Sequence, residues 1–378
     1  MYSPRIAIVG AGPGGMTLAR ILHLHGIVAS VFERETLSSA RPQGGSLDMH
    51  AESSQYAIEC AGLTAEFTRI ARYEDQEERF YNKHCQLLLS DTDVSEKNRP
   101  EVDRGQLRQM LLDSLPSHTV QWDHRPVAIH AQDNGTFELV FRSGRHETFD
   151  LVIGADGAWS CVRPLVSPAR PLYSGVTFLE LGIDDVDARY PELASLVGRG
   201  LTFAVGDSKA LIGHRDANAH ITIYAAMRVP EDWLEKGGLD LSSADAKRAS
   251  LAAYFTGWSE NLLELIYRCG DRMTPRTIQA LPVGHRWEHR PGVTLLGDAA
   301  HLMSPFGGNG ANLAMLDAAD LALALTKTED WRAAVQAYEV TMLARAEAAA
   351  GAARDAIDSV FSEDGLSHTL QAMESQRG

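Results

Sequence analysis

Three glycines and one glutamate near the start of the chain have the types and spacing that dinucleotide binding requires. Gly10, Gly12 and Gly15 follow an apolar run, RIAIV, and precede a helical pattern that extends to His25. The first glycine permits a tight turn, the second lets a pyrophosphate approach the backbone, and the third allows a helix to pack closely on a strand. Glu33 lies 18 residues beyond Gly15, after a second strand pattern, and its carboxylate can accept hydrogen bonds from ribose hydroxyls.

A second glycine-rich segment, GDAAHLMSPFGGNGAN at residues 297–312, lies between an apolar run and an apolar-periodic stretch. A buried strand followed by a helix fits that order. Glycines at a strand-to-helix turn let a large ligand approach the backbone, and the N-terminus of the following helix favours negative charge. We expect this segment and its acidic residue, Asp298, to lie in the same nucleotide-binding domain as the first glycine motif.

Between these two segments the sequence predicts one amphipathic helix and one further buried strand. Residues 104–115 (RGQLRQMLLDSL) have the helical pattern, and residues 149–155 (FDLVIGA) have the strand pattern, which ends at Asp156 and Gly157. No second G-x-G-x-x-G follows a strand pattern in the sequence. The chain is therefore predicted to have a single dedicated dinucleotide site.

The pattern of apolar residues changes after Pro171. Strand-like runs at 176–181, 201–205 and 221–227 follow one another without helical patterns between them, which is typical of an antiparallel sheet. A helical stretch at 244–268 closes this region. We predict an α/β fold, in which a Rossmann-like domain carries an inserted antiparallel β-sheet domain and a long C-terminal helix. The predicted boundaries are 1–171 and 277–330 for the nucleotide-binding domain, 172–276 for a substrate-binding sheet domain, and 331–378 for a C-terminal bridging helix.

Composition and charge argue against several classes of protein. With 378 residues, 44% of them hydrophobic and 22% charged, the chain has the composition of a globular protein too long for one small core. Its net charge of −15 argues against binding to nucleic acid or anionic membranes. The four cysteines stand far apart, which predicts neither a disulfide framework nor a metal site. The first apolar run is too short for a signal peptide or a membrane span, so we expect a cytoplasmic protein, and a monomer.

Three motifs in this order resemble those of a known enzyme family. GAGPGG with Glu33, DGAWSCVRP at 156–164 and GDAAHLMSPFGGNGAN are similar to the motifs of the FAD-dependent single-component aromatic hydroxylases, the group A flavin monooxygenases. ARPQGGSLDMH at 40–50 and DRGQLRQMLLDSL at 103–115 resemble the tetracycline-inactivating monooxygenases of the TetX type. The resemblance extends over most of the chain and is weakest in the inserted sheet.

The resemblance implies cofactor contacts for particular residues. Asp298 would hold the ribityl chain of FAD, and Asp48 and Arg104 match positions that contact FAD. Arg41 matches a position that contacts NADPH. The Asp156–Gly157 pair serves both FAD and NADPH in the family.

The resemblance also implies where the flavin ring and the substrate lie. The loop at 305–310 and the helix after it would face the isoalloxazine, because a helix N-terminus stabilises the anionic reduced flavin. Within this loop the residues expected at the substrate are Pro305, Phe306 and Gly308. Any side chain at Gly308 is expected to occupy space that a flat ring system needs.

The reaction implied by the resemblance is a hydroxylation. NADPH reduces FAD, O₂ adds to it, and the resulting flavin hydroperoxide attacks an electron-rich carbon of a fused-ring phenolic or enolic substrate. Tetracycline inactivation, and hence antibiotic resistance, is one form of this reaction. No nucleophile triad and no obligatory general base are visible in the sequence, so no catalytic residue is assigned. We interpret His301 and His50 as histidines whose ring nitrogens are satisfied by their neighbours.

The substrate itself stays open at this point. In the tetracycline-inactivating enzymes a Gln, an Arg and a His on the inserted sheet hold the drug, and the matching positions here are Glu180, Leu201 and Thr222. Replacing a cation and adding an acid would weaken binding of an anionic tricarbonyl group. Three alternatives are a hydroxylase of another aromatic or polyketide metabolite, a flavoprotein that sequesters a ligand without turnover, and a flavin-dependent halogenase. The W-x-W-x-I-P motif of the halogenases is missing from the sequence.

Overall fold

The computed structural model describes residues 4–36, 45–92 and 98–375. The strands are β1 (Ile6–Val9), β2 (Ala29–Phe32), β3 (Ser46–Asp48), β4 (Glu77–Asn82), β5 (Leu87–Asp91), β6 (Glu101–Asp103), β7 (Val120–Gln121), β8 (Pro126–Ala131), β9 (Phe137–Phe141), β10 (His146–Phe149), β11 (Leu151–Gly154), β12 (Leu172–Ile183), β13 (Gly200–Gly206), β14 (Lys209–Arg215), β15 (Ile221–Arg228), β16 (Thr274–Ala280) and β17 (Val293–Leu295). The helices are α1 (Pro13–Leu24), α2 (Tyr56–Cys60), α3 (Thr64–Ile70), α4 (Arg104–Asp113), α5 (Val186–Arg189), α6 (Pro191–Val197), α7 (Ala244–Ala253), α8 (Glu260–Tyr267), α9 (Asp298–His301), α10 (Asn309–Thr326), α11 (Trp331–Val360) and α12 (Gly365–Ser375).

One compact unit comprises Met1–Ala71, Arg104–Leu172 and Gln279–Arg354. Its main sheet is parallel and has the strand order β17-β11-β1-β2-β7. β1 and β11 are buried along their whole length, as the central strands of a parallel sheet are when both faces are covered. α1 starts at Pro13, directly after Gly12, because proline is pre-organised for the first helical position.

The second compact unit comprises Arg72–Asp103, Tyr173–Ile278 and Asp355–Gly378. Its sheet has the strand order β16-β12-β15-β14-β13-β4-β5. β12, β15, β14 and β13 pair antiparallel in succession, whereas β13 and β4 are parallel.

The two faces of this second sheet differ in character. Side chains alternate between the faces along each strand. Leu181, Ile223 and Leu211 point into a hydrophobic core that they share with Phe255 and Leu262 from the helical region. The opposite face, which we call the open face, carries the residues that are in register with Glu180 across the strands, namely Tyr224, Ile212, Phe203 and Phe80.

The predicted fold class is confirmed, with three local corrections. The C-terminal helix predicted at 331–378 is two helices, α11 (Trp331–Val360) and α12 (Gly365–Ser375). Residues 72–103 were predicted in the nucleotide-binding domain, but β4 and β5 extend the sheet of the second unit. Local pattern could not show this, because the neighbour of β4 is β13, which is distant in sequence. The helical stretch at 244–268 is two helices, α7 and α8, and the turn between them contains Gly257 with a φ of 86°.

The described part of the chain contains no helix that is both long and apolar enough to cross a membrane. Within the same residues, no group of His, Cys, Asp and Glu side chains has an arrangement that could hold a metal ion.

Candidate functional site

The glycine turn after β1 is packed backbone against backbone. A Cβ atom at Gly10, where φ is 109°, would lie 2.3 Å from the carbonyl oxygen of Ala155. A Cβ at Gly15 would lie 2.1 Å from the carbonyl oxygen of Gly10. A Cβ at Gly12 would meet nothing within 4 Å. Gly10 and Gly15 therefore serve the fold, whereas Gly12 leaves open space at the start of α1, where a ligand can approach the backbone.

Glu33 stands beside this turn at the end of β2. One carboxylate oxygen, Oε2, accepts a hydrogen bond of 2.8 Å from the backbone N–H of Ala11, and Oε1 accepts one of 3.0 Å from Glu35. Each carboxylate oxygen has more than one lone pair, so both can still accept hydrogen bonds from a ligand. The backbone contacts fix the position of the carboxylate next to the open space at Gly12.

A cleft in the first unit brings several of the predicted cofactor residues together. Its walls include the glycine turn, Glu33, Arg104 and the Asp156–Gly157 pair. Arg104 is exposed at the start of α4, so it borders the cleft rather than filling it. Four arginines and three acidic residues line the cleft, and one of the arginines, Arg108, is paired with Glu35 at 3.0 Å. The arginines are Arg34, Arg104, Arg108 and Arg125.

Asp156 has one oxygen engaged and one free for a donor. Its Oδ2 accepts a hydrogen bond of 2.7 Å from the backbone N–H of Cys161. Its Oδ1 is buried and has no partner among the residues that the structure describes. Burial and the adjacent Asp156 charge raise the pKa of the Cys161 thiol to about 12, so this cysteine is not a thiolate at neutral pH. A buried acceptor without a donor, together with the open space at Gly12, fits a bound dinucleotide.

Arg163, which the sequence reasoning did not assign, ties two motifs together. Its guanidinium donates to the carbonyl oxygens of Ala299 at 2.8 Å and Ala158 at 2.6 Å. The first belongs to the segment that begins at Asp298 and the second to the segment that begins at Asp156. Burial lowers the pKa of Arg163, against the opposing effect of the nearby aspartates. The signal available in the sequence was the arginine within the motif DGAWSCVRP. The structure shows that its side chain is buried, and a buried guanidinium needs several acceptors.

Asp298, Asp48 and the predicted substrate loop form a second group in the same unit. Gly310 approaches Asp298, since a Cβ there would lie 3.8 Å from Oδ1. Burial raises the pKa of the Asp298 carboxyl group, and nearby cations oppose this effect. Gly308 has a φ of 66°, and a Cβ there would lie 2.7 Å from Oδ1 of Asp48. Glycine is therefore required at position 308 by the backbone and by Asp48, a reason that does not involve a ligand.

Asn312, which ends the motif GDAAHLMSPFGGNGAN, holds this group in place. Its amide nitrogen donates to the carbonyl oxygens of Asp48 at 2.8 Å and Gly308 at 2.9 Å. Its amide oxygen accepts from the backbone N–H of His50 at 2.9 Å and from the hydroxyl of Ser54. The residue is fully buried. Sequence reasoning did not assign Asn312, although its place at the end of the motif was visible.

The two histidines interpreted as satisfied by their neighbours have close carboxylate partners. Nε2 of His301 lies 2.6 Å from Oδ2 of Asp317, whose other oxygen accepts from Arg345 at 2.8 Å. Burial opposes the charged form of His301, but Asp317 raises its pKa. Nε2 of His50 lies 2.7 Å from Oδ2 of Asp48. These contacts hold the loops, but the prediction is only half correct for His301, because its Nδ1 is buried and has no hydrogen-bond partner among the described residues.

Other predicted residues are placed less specifically. Arg41 lies outside the described residues. Pro305 is exposed and Phe306 is half-buried. The carbonyl oxygen of Pro305 accepts a hydrogen bond of 3.1 Å from the N–H of Gly308, which closes the loop into a turn.

Comparisons with known proteins identify the family of this chain. The chain matches the family model described as FAD binding domain over residues 4–205 and 277–353. It is 31% identical to monooxygenase penA of Penicillium thymicola, over 84% of both proteins. It is 29% identical to phenazine 1,6-dicarboxylic acid hydroxylase PhzS of Lysobacter antibioticus, over 88% of this chain and 85% of the relative.

Solved structures share the fold at lower sequence identity. Klebsiella pneumoniae HpxO complexed with FAD and uric acid has a TM-score of 0.81 and 23% identity, covering 99% of this chain and 92% of HpxO. Tetracycline destructase Tet(51) has a TM-score of 0.71 and 21% identity, covering 99% of this chain and 96% of Tet(51). The chain therefore belongs to the FAD binding domain family and groups with its flavin monooxygenases, as the motifs predicted.

Two glycine substitutions should separate folding from cofactor binding. Gly15→Ala places a methyl group on the Gly10 carbonyl oxygen and should lower the free energy of unfolding by about 1–3 kcal/mol. Gly12→Ala meets no protein atom and should leave thermal unfolding of the apoprotein unchanged, but weaken FAD binding by about tenfold or more. Calorimetry and fluorescence titration with FAD measure the two effects. Equal losses of stability in both variants would contradict this division of roles.

Removing the Asn312 amide should destabilise the loop between Asp48 and Gly308. Asn312→Ala leaves buried backbone groups without partners, and the free energy of unfolding should fall by about 2 kcal/mol or more. Asn309→Ala is the matched control, because Asn309 lies on the same helix and its side chain makes no hydrogen bond to the described residues, and this variant should change stability by less than about 0.5 kcal/mol. Denaturant unfolding gives both values. Similar values for the two variants would contradict the proposed role of the Asn312 amide in holding this loop.

Proposed function

We propose that this chain is an NADPH-dependent FAD monooxygenase that hydroxylates a fused-ring phenolic or enolic molecule. The observation that carries the proposal is the first-unit cleft, where an open glycine turn, a fixed glutamate and an unpartnered aspartate oxygen coincide. Membership in the FAD binding domain family supports it. The named monooxygenases among the relatives support the use of O₂.

Each part of the cofactor site has a physical role in this proposal. The start of α1 at Gly12 receives the pyrophosphate, and Glu33 accepts hydrogen bonds from the adenosine ribose. Arg104 and the Asp156–Gly157 pair border the same cleft, and Asp298 holds the ribityl hydroxyls. When bound, FAD supplies the redox chemistry, namely acceptance of a hydride and activation of O₂. The protein orients the ring and excludes water from it.

The loop at 305–308 and the N-terminus of α10 would lie against the flavin ring. A helix N-terminus carries partial positive charge, which stabilises the anion of a reduced flavin. Asn312 fixes this loop to Asp48, so the geometry is set before any ligand binds. Pro305, Phe306 and Gly308 keep their proposed place at the substrate.

NADPH would be a transient second ligand, because the sequence has one dinucleotide motif and FAD occupies it. Arg41 is the residue proposed to contact NADPH. We expect Arg41→Ala to slow flavin reduction by NADPH about tenfold, through loss of a charge-assisted contact, and to leave the spectrum of the oxidised enzyme unchanged. Stopped-flow absorbance measures the rate. Arg142→Ala, a change at an exposed arginine, is the control. Equal rates of flavin reduction in both variants would rule out a contact between Arg41 and NADPH.

The substrate class rests on relatives and on the chemistry of the open face. PhzS is named for a phenazine and Tet(51) for tetracycline, and both molecules have fused rings. Tetracycline belongs to the proposed class, but Glu180, Leu201 and Thr222 replace the residues expected to hold it. The carboxylate of Glu180 accepts a hydrogen bond of 3.0 Å from the guanidinium of Arg276, which compensates the negative charge at this position.

Oxygen incorporation tests the proposed reaction. Purified enzyme is incubated with NADPH, ¹⁸O₂ and each of tetracycline, an anthracycline, 2-naphthol and phenol, and products are analysed by mass spectrometry. We expect one labelled oxygen in a multi-ring product. Reaction with phenol alone would refute the fused-ring class and retain the monooxygenase. Ligand binding without NADPH oxidation would show instead a flavoprotein that sequesters its ligand.

A further inference from the structure

A cluster of charged side chains lies on the open face of the second unit and has no role so far. His214, on β14, is in register with Leu201 on one side and Thr222 on the other. Nε2 of His214 lies 3.2 Å from Oε1 of Glu101, and its Nδ1 lies 3.4 Å from Oδ1 of Asp216. The hydroxyl of Thr222 donates to the other oxygen of Asp216 at 2.5 Å. These four residues form one continuous polar cluster.

The cluster is buried and carries a net negative charge. Burial opposes the charged form of the imidazole, but Glu101 and Asp216 raise the pKa of His214 to about 10. The imidazole is therefore a cation at neutral pH and faces two carboxylates. The side chains of His214, Glu101 and Asp216 are between 8% and 12% exposed, so solvent screens these charges only weakly.

One acceptor in the cluster lacks a donor. Oε2 of Glu101 is buried and has no hydrogen-bond partner among the described residues. Leaving a buried carboxylate oxygen without a donor is costly, and such atoms in native proteins usually belong to a site that a ligand or water completes. The cluster does not form a metal-binding arrangement in the described part of the chain. The missing partner is therefore a hydrogen-bond donor.

The surroundings of the cluster suit a flat aromatic molecule. Along the open face, Phe178 lies 5.7 Å from Tyr224, and Phe80 lies 6.4 Å from Phe203, between ring centroids. Tyr224 and Phe203 are partly exposed, whereas Phe178 and Phe80 are buried. Such pockets combine apolar walls with a few polar groups that orient the ligand.

We infer that Glu101, fixed by His214, accepts a hydrogen bond from a hydroxyl or amino group of the substrate, and that the enzyme thereby selects uncharged fused-ring phenols or arylamines over aromatic carboxylates. This inference rests on the proposed function, since it names the substrate class of that enzyme. A donor substituent satisfies Oε2, whereas a carboxylate adds a like charge to a cluster that is already negative.

The other charges on this face do not reverse the selection. Glu180 and Arg276 form an ion pair with an N–O distance of 3.0 Å and so neutralise each other. Glu78 is exposed and lies in the same row as Leu201 and His214, where it adds a further negative charge. Arg72, whose backbone pairs with that of Glu101, is held by Asp75 at 2.9 Å and by Asp103 at 2.8 Å, so its charge is already compensated.

Three two-ring ligands separate the effect of a hydroxyl donor on affinity from the effect of a carboxylate charge. 2-Naphthol has a hydroxyl donor, 2-methoxynaphthalene lacks it, and 6-hydroxy-2-naphthoate adds a carboxylate. Dissociation constants are measured on the FAD-loaded enzyme from perturbation of the flavin absorbance. We expect 2-naphthol to bind about tenfold or more tightly than each of the other two, the size expected for a hydrogen bond to a charged group. Weaker or equal binding of 2-naphthol, or no binding at all, would overturn the inference.

The Glu101→Gln variant tests the residue. It should reduce both affinity ratios to about threefold or less, because the charge is lost and the acceptor is weaker. Glu78→Gln removes an equal charge from the exposed row and should leave both ratios within about twofold of the wild type. The ratios do not depend on the folded fraction, so a merely structural role for Glu101 would leave them unchanged. Unchanged ratios in Glu101→Gln therefore refute the inference.

A second variant, Glu101→Asp, tests the same contact if Glu101→Gln folds poorly. Glu101→Asp keeps the charge but withdraws the oxygens, so it should retain discrimination against 6-hydroxy-2-naphthoate and lose the preference for 2-naphthol over 2-methoxynaphthalene. Retention of both preferences would contradict a direct contact. Oxygen incorporation into 2-naphthol is followed in parallel. Labelled product from the carboxylate in preference would refute the inference alone, whereas ligand preference without any labelled product would refute the proposed function alone.

Discussion

The contact on which the first unit depends is the packing of the glycine turn against the backbone around Ala155. Gly10 and Gly15 approach carbonyl oxygens so closely that no side chain could be accommodated at either position. This packing sets α1 directly on the ends of β1 and β11, which are paired in parallel register. The N-terminus of α1 is then open at Gly12, where the chain leaves space and the helix favours negative charge. A cofactor site results from a constraint on backbone packing.

Buried polar side chains extend this arrangement to segments that are distant in sequence. Arg163 donates to the carbonyl oxygens of both aspartate segments, and Asn312 joins the loop at Gly308 to Asp48. The carboxylate of Asp317 accepts hydrogen bonds from the backbone N–H of Gly297 and from the guanidinium of Arg345, and it also contacts the imidazole of His301. Each of these groups is buried and needs several partners, so the loops cannot move independently without leaving polar atoms unsatisfied. The predicted cofactor residues are positioned by neighbours that do not themselves face the cleft.

In the second unit, the two faces of one sheet have different roles. Its core face is apolar, whereas the open face combines buried side chains such as Phe80, Phe178 and Thr222 with partly exposed rings and polar groups. Residues in register on that face include the aromatic Tyr224 beside Glu180 and the charged His214 beside Thr222. The ion pairs on this face include His214 with Glu101 and Arg276 with Glu180, and the first of them carries the ligand selectivity that we propose.

Local pattern in the sequence was enough to predict the strand, glycine turn and helix at Gly10 to Gly15, the acid at Glu33 and the α/β class. These features depend on neighbours within a few residues, and glycine spacing is readable without a structure. The roles of Arg163 and Asn312, the true reason for glycine at 308, the membership of β4 and the meeting of Glu101 with His214 were decided only by the tertiary structure. Each depends on a contact between residues far apart in the chain, and the periodicity of hydrophobic residues records which face is buried but not what lies against it.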